Sequence, residues 1–296
     1  MHGLARSLPL ALLAVASLPC VLTAARAQSA APQGAEQEEE VAPEESALID
    51  PTPEPPPRAP PSASAAAGDA MIHVDGATFS MGSADPKSPP NERPRHVETV
   101  APFWIDRTEV TVGAYHTCVD LHACTVPTRS SSSCTYDLGD PRLPVSCVHW
   151  HDAEAFCRAL GKRLPRESEW ELASRGPKGT GRYPWRSGNM SCYYASMMVN
   201  DTTGRSCTRG PSRVGGHPAG ATPSGIQDLT GNVEEWMSDW YVENLARGGA
   251  PAAGASHVLR GGGWQSGPSQ GRTTARNWGS AAEAGPNVGF RCAKDG

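Results

Sequence analysis

The sequence is short of aromatic carbon and long apolar runs. It has four Phe and six Tyr in 296 residues, with a charged fraction of 19%. Mean hydropathy is -0.43, which excludes a multi-span membrane protein. The one extended apolar stretch, residues 8–22, is interrupted by Ser17 and Pro19 and is too short for a convincing span. No basic stripe or run is present, so the chain lacks the electrostatic footprint of a nucleic-acid binder. No C-x2-C pair argues for a zinc ribbon, and no G-x-x-x-x-G-K-[ST] loop argues for a nucleotide phosphate site. There is no internal repeat.

What is present divides the chain into three. Arg6, the apolar stretch and Ala25-Arg26-Ala27, with small residues at the -3 and -1 positions, read as a secretory signal over 1–27 cleaved after Ala27. A lipoprotein anchored at Cys20 is the less favoured reading, because Pro19 fits a lipobox poorly. Residues 28–69 carry nine Pro, nine acidic residues and Arg58 as the one base. A tract so acidic and so poor in β-branched and aromatic residues buries too little to offset its chain entropy and reads as a disordered, extended spacer. Taking the leader's +2 and the spacer's -8 from the chain's -5 leaves +1 on residues 70–296, a nearly neutral segment ample for one cored domain.

Removing Cys20 with the leader leaves eight cysteines, Cys118, Cys124, Cys134, Cys147, Cys157, Cys192, Cys207 and Cys292. An even number in an exported chain reads as up to four disulfides formed in an oxidising compartment, though a count alone leaves about 105 pairings open. The expected location is secreted, periplasmic or cell-surface, with no transmembrane segment in the mature chain. Asn189-Met-Ser191 and Asn200-Asp-Thr202 are glycosylation sequons, meaningful in a eukaryotic secretory host.

From Met71 onward turns dominate. Met71–Val74 and Ala77–Met81 flank Asp75-Gly76, a hairpin signal, and Phe103–Asp106 reads as a further strand. Helices are expected over Thr111–Val119, over Asp152–Leu160 with Asp152 as N-cap and Ala155, Phe156 and Leu160 on one side, and over Glu167–Ser174 with Trp170 inward. Eight Trp against four Phe suit a loop-rich core, since each indole buries a large area. The class is α+β with much irregular structure, stapled by disulfides.

Two segments could carry chemistry. In a strand, Cys147, His149 and His151 would point to one side as a metal cluster. The even cysteine count favours a disulfide at Cys147 and a helix starting near His151. Asp228 and Glu235 flank a Gly-Asn turn, and two carboxylates with exposed main-chain carbonyls are what Ca²⁺ takes as ligands. The competing reading is a solvated turn with Trp236 and Trp240 in the core.

Gly161-Lys-Arg-Leu-Pro165, Glu169-Trp170-Glu171, Tyr183-Pro184-Trp185, Gly231-Asn-Val with Glu235-Trp236, Leu259-Arg-Gly-Gly262 and Gly289-Phe-Arg-Cys292 occur in this order, after Asp75-Gly76, Phe79-Ser-Met-Gly82 and Ile105-Asp-Arg-Thr-Glu-Val-Thr111. Together they resemble the formylglycine-generating enzyme, or sulfatase-modifying factor, family from about Met71 to Ala293. The resemblance implies one compact domain of low secondary-structure content, related to the C-type lectin fold. It implies a structural calcium held by the side chains of Asp228 and Glu235 and the carbonyls of Gly231 and Val233. It also implies a Cys157–Cys292 bridge, worth on the order of 4–5 kcal/mol in the chain-entropy model. The other six cysteines are then expected to pair locally, Cys192 with Cys207, and Cys118, Cys124, Cys134 and Cys147 among themselves. A second calcium site of the family falls at Ser196 and is not carried over.

Catalytic members oxidise a sulfatase cysteine to formylglycine with oxygen and copper held by two thiolates, soft ligands that Cu(I) prefers. The matching stretch here, residues 261–271, contains no cysteine. Ser266 stands at the first thiolate position, the second falls within 268–271, and Gly263 and Glu234 replace the family's serine and tryptophan. Gly263, Trp264, Ser266, Arg276 and Asn287 would line what remains of the pocket. Copper is therefore not expected. The reading is a calcium-stabilised binding or structural module of the cell envelope with an unidentified protein or glycan partner. The alternative is a diverged oxidoreductase acting on protein cysteine or a small thiol.

Overall fold

The computed structural model describes residues 70–128, 131–186, 188–200, 207–245 and 253–296. The expected leader, the spacer and the Cys20 anchor lie outside them, as do Asp201 and Thr202 of the second sequon. Among the described residues no helix is long and apolar enough to cross a membrane.

The first four strands, β1 (Met71–Val74), β2 (Ala77–Met81), β3 (His96–Val100) and β4 (Phe103–Asp106), correct the hairpin expectation. β1 and β2 do not pair with each other. β1 pairs antiparallel with β4, Met71 opposite Asp106 and Val74 opposite Phe103, and β2 pairs with β3, Ala77 opposite Val100 and Met81 opposite His96. The two registers are continuous, so Asp75-Gly76 and Ala101-Pro102 mark the bend of one long ribbon, not its tip. Gly76 is required there because a Cβ would sit 2.6 Å from both the Pro102 nitrogen and the Val100 carbonyl oxygen. A dipeptide that signals a turn serves equally where two backbones cross closely.

Three helices follow: α1 (Val112–Asp120), α2 (Trp150–Ala159) and α3 (Glu167–Arg175). Thr111 caps α1 by accepting from the Ala114 amide. α2 starts two residues before the expected position, with His149 at the N-cap and Asp152 in the first turn. Its buried side is Trp150, Ala153, Phe156 and Cys157, while Ala155 and Leu160 are exposed. The earlier start follows from Trp150, whose indole N–H donates to the Met237 carbonyl at 2.8 Å and draws the first turn onto the sheet.

That sheet consists of β5 (Glu234–Trp240), β6 (His257–Arg260), β7 (Arg276–Gly279) and β8 (Val288–Gly289), in spatial order β7-β6-β5-β8. β9 (Ala293–Asp295) joins β4 in the ribbon's sheet. Alternation along β5 and β6 sends residues to opposite sides. Trp236, Leu259 and Val288 pack on the α1–α2 core with Tyr115, Phe156 and Phe290, while Met237 and Val258 pack on α3 with Trp170, Leu172, Phe103 and Ile105.

Four disulfides staple the loops: Cys118–Cys124, Cys134–Cys147, Cys157–Cys292 and Cys192–Cys207. Cys147 is thereby removed from the His149 and His151 cluster, and His151 is exposed. Cys157 and Cys292 are 135 residues apart, and both are fully buried. Their bond ties α2 to the C-terminal segment. Replacing both by Ala is expected to lower unfolding free energy by about 5 kcal/mol in urea titrations under non-reducing conditions. A loss below about 1 kcal/mol would show that packing alone holds that closure.

Candidate functional site

The loop after β6 turns sharply: Gly261 and Gly262 have φ of 90° and 61°. At Gly262 any Cβ would press on the Gln270 backbone at 3.1 Å. The loop then folds back on the segment before β8. The Gln265 amide donates to Asn287 Oδ1 at 2.9 Å, the Trp264 indole N–H donates to the Pro286 carbonyl at 3.0 Å, and the Trp264 amide donates to the Asn232 carbonyl at 2.8 Å. A Cβ on Gly263 would lie 2.3 Å from Asn287 Oδ1, so glycine at this position is the condition for Asn287 to reach the loop.

Ser266 is buried. Its Oγ accepts from the Gly263 amide at 3.1 Å and from Asn287 Nδ2 at 3.4 Å, and its carbonyl accepts from the Met198 amide at 2.9 Å. The hydroxyl thus serves as an internal fastener of the loop. Gly263, Trp264, Ser266 and Asn287 are thus brought together, and Arg276 is not among them. It stands on β7 and places its guanidinium on Glu167 at 2.5 and 2.9 Å and on the carbonyls of Asn91 and Val242. The register of β7 against β6, Arg276 opposite Arg260, carries it to the α3 side of the sheet. Gly267-Pro-Ser269-Gln-Gly271 spells G-x-S-x-G, yet it lies in turns with neither a strand before it nor a helix after it, so it is no nucleophile elbow.

All eight described cysteines are in disulfides, so no described thiolate faces this loop or any other. Among the described residues no three His, Cys, Asp or Glu side chains converge at metal-ligand spacing.

The second candidate centres on Asp228, whose φ of 58° places it in the left-handed region. Its Oδ2 accepts from the Gly215 amide at 2.5 Å. Glu235 is fully buried and takes two hydrogen bonds from Arg291, at 2.7 and 2.8 Å, plus the Trp170 indole N–H at 2.9 Å. The Asn232 side chain fastens the turn by accepting from the Ser212 amide at 2.8 Å. A third carboxylate, missed by the sequence reasoning, adjoins them: Glu109 is fully buried and no N–H or O–H donor reaches either of its oxygens. Burial first, then the neighbouring Asp228 charge, push the Glu109 carboxyl well above its usual range, against the pull of Arg291. Burial likewise raises Asp228 and Glu235. Three buried carboxylates therefore face one guanidinium, and the surplus negative charge calls for a shared proton or a cation. The hint in the sequence was a lone acid inside the otherwise apolar and hydroxylic stretch Thr108–Thr111.

Residues 57–296 match the sulfatase-modifying factor enzyme 1-like domain. The chain is similar to the serine/threonine-protein kinase Pkn1 of Chlamydia trachomatis serovar L2, 32% identical over 251 residues, covering 76% of this chain and 38% of that protein. The chain thus spans well under half the length of the curated kinase relatives it matches. It is also similar to the formylglycine-generating enzyme of Streptomyces coelicolor, 30% identical over 286 residues, covering 76% of this chain and 89% of the enzyme. Among solved structures the fold is similar to that of PvdO from Pseudomonas aeruginosa, with a TM-score of 0.65, 24% identity, and coverage of 76% of this chain and 94% of that one.

Proposed function

The chain belongs to the sulfatase-modifying factor enzyme 1-like family, and from that premise we propose that it is an exported, calcium-stabilised binding or structural module without copper-dependent formylglycine generation. The observation that carries this reading is the state of its sulfur and of Ser266. Cu(I) needs soft thiolate donors. Every described cysteine is in a disulfide, and the loop offers a serine whose Oγ already holds Gly263 and Asn287. This donor set does not fit copper. Four disulfides accord with an extracytoplasmic setting, where such bonds persist, and that in turn suits a partner at the cell envelope.

Calcium is a different matter, because the donors at the Asp228 turn are hard oxygens. Asp228 and Glu235, with the carbonyls of Gly231 and Val233, would hold the ion. Burial raises the neighbouring Glu109 carboxyl well above its usual range, so that group favours a proton and leaves the ion to the Asp228 turn. Its role would be to fix the turn that orders both β5 and the 261–271 loop.

Two measurements test the proposal. Incubation of the protein with Cu(I), oxygen and a cysteine-containing sulfatase-motif peptide, followed by mass spectrometry, is expected to return the peptide unchanged. Aldehyde formation would establish a diverged oxidase acting on protein cysteine instead. In thermal melts at pH 7.5, calcium at about 100 times its Kd is expected to add about 2.7 kcal/mol over a chelated sample. Asp228→Asn should abolish that gain. Because burial raises these carboxyls, protons compete with the ion, and the gain shrinks as pH falls toward 5. A melt insensitive to chelator would remove calcium from the account.

A further inference from the structure

Glu234 stands apart from the other buried acids of the sheet. It is 5% exposed and lies on the side of β5 that carries Trp236. The pairings Glu234 with Val288, Trp236 with Leu259, and Leu259 with Asn277 place these five side chains on one face. The basic residues of the sheet are on the other face: Arg260 and Arg276 are opposite each other there and serve Glu167 and Glu171, as Arg291 serves Glu235. Alternation along the strands therefore denies Glu234 a cation. Its neighbour is an amide: Asn277 Nδ2 donates to Glu234 Oε2 at 3.1 Å.

The same face lines a cavity of about 470 Å³, bounded by Glu234, Trp236, Leu259, Asn277 and the covering loop 283–285, with Trp278 reaching its edge from the other side of β7. Trp278 is half exposed at its rim and stacked on Tyr241 with ring centroids 4.6 Å apart. Gly279 keeps the space open toward Trp236, whose ring would meet an added Cβ at 2.8 Å. Glu283 is the other titratable group of the lining, and it is exposed and turned to cap the Ser280 amide at 2.9 Å. His257, one pair along β6, is held between the rings of Trp150 and Trp240. A largely apolar cavity with the Trp236 indole on its floor, the Trp278 indole at its rim, one buried carboxylate and no basic group among its lining residues is complementary to a cation carried on an apolar body, which would gain both charge pairing and a cation–π contact.

We propose that this cavity binds a small organic cation, a primary ammonium on an aromatic or aliphatic body, with Glu234 as counter-ion and Asn277 as the group that orients its carboxylate. The proposal rests on the fold and is independent of the reading of the 261–271 loop.

The test is calorimetric titration of the full chain with 2-phenylethylamine, its neutral analogue 2-phenylethanol, and Nα-acetyl-lysine methylamide. At pH 8 the amine is expected to bind at least tenfold more tightly than the alcohol. The preference should disappear in Glu234→Gln, which keeps the shape and the Asn277 contact. Folding of that variant is checked by its thermal melt at pH 8, where it should be no less stable than the parent because an uncompensated buried charge has been removed. Equal binding of amine and alcohol, retention of the preference in Glu234→Gln, or absence of binding at 10 mM would overturn the proposal. So would capture of the lysine derivative with no binding of the free amine, which would assign the carboxylate to a protein partner.

Discussion

The fold depends on buried guanidinium groups. A domain with so little regular structure leaves many backbone carbonyls without ladder partners, and unpaired buried carbonyls are costly. Arg291, fully buried, meets that need directly: beyond its pairing with Glu235 it donates to the carbonyls of Asp106, Arg107 and Gln227 at 2.9 to 3.2 Å. Arg260, equally buried, joins Glu167 and Glu171 of α3 at 2.9 and 2.7 Å, reaches the Thr273 carbonyl at 2.6 Å and lies over the Trp170 ring. Burial alone would raise the Glu167 carboxyl, yet the charges of Arg276 and Arg260 hold it below its usual range. Breaking such pairs strands a buried charge, typically at 3–5 kcal/mol.

This way of stabilising loops consumes polar and sulfur groups. The serine that stands where a copper thiolate would be expected is tied into the 261–271 turn, and the cysteines are tied into staples. The two places where charge is left over are consequently informative. At Glu109, Asp228 and Glu235 three buried acids outnumber the one guanidinium available, and burial raises all three. At Glu234 the strand's alternation has sent every arginine to the opposite face. Both arise from the same geometry: a sheet with helices on either side and its basic residues on one of them.

Much of this was legible in the sequence where a residue's local chemistry and its tertiary role coincide. The helix read over Thr111–Val119 is present over Val112–Asp120, with Thr111 one step outside as its cap, and Trp170, three residues into a helix that follows Pro165, is fully buried as read. The cysteines pair largely between near neighbours in the chain, as composition and resemblance together implied. The sequence misled where one residue type serves two purposes. Asp75-Gly76 signals a hairpin, but Gly76 is there for a backbone crossing at the bend of a longer ribbon. Arg276 was placed in the pocket by the family resemblance, whereas strand register decides which face it occupies. Glu109 gave no periodic signal at all, since a buried acid between Thr108 and Val110 differs from an exposed one only through long-range contacts with Asp228 and Arg291.

The central claim is that the sulfur of the folded domain is structural. It is tested most directly by counting reactive thiols on the full chain, unfolded in denaturant without reductant, alkylated and mapped by peptide mass spectrometry. The account predicts no alkylation at Cys118, Cys124, Cys134, Cys147, Cys157, Cys192, Cys207 or Cys292, and disulfide-linked peptides in the four pairs seen here. Two alkylated cysteines in this set would contradict it, because a pair of free thiols would be available to hold copper.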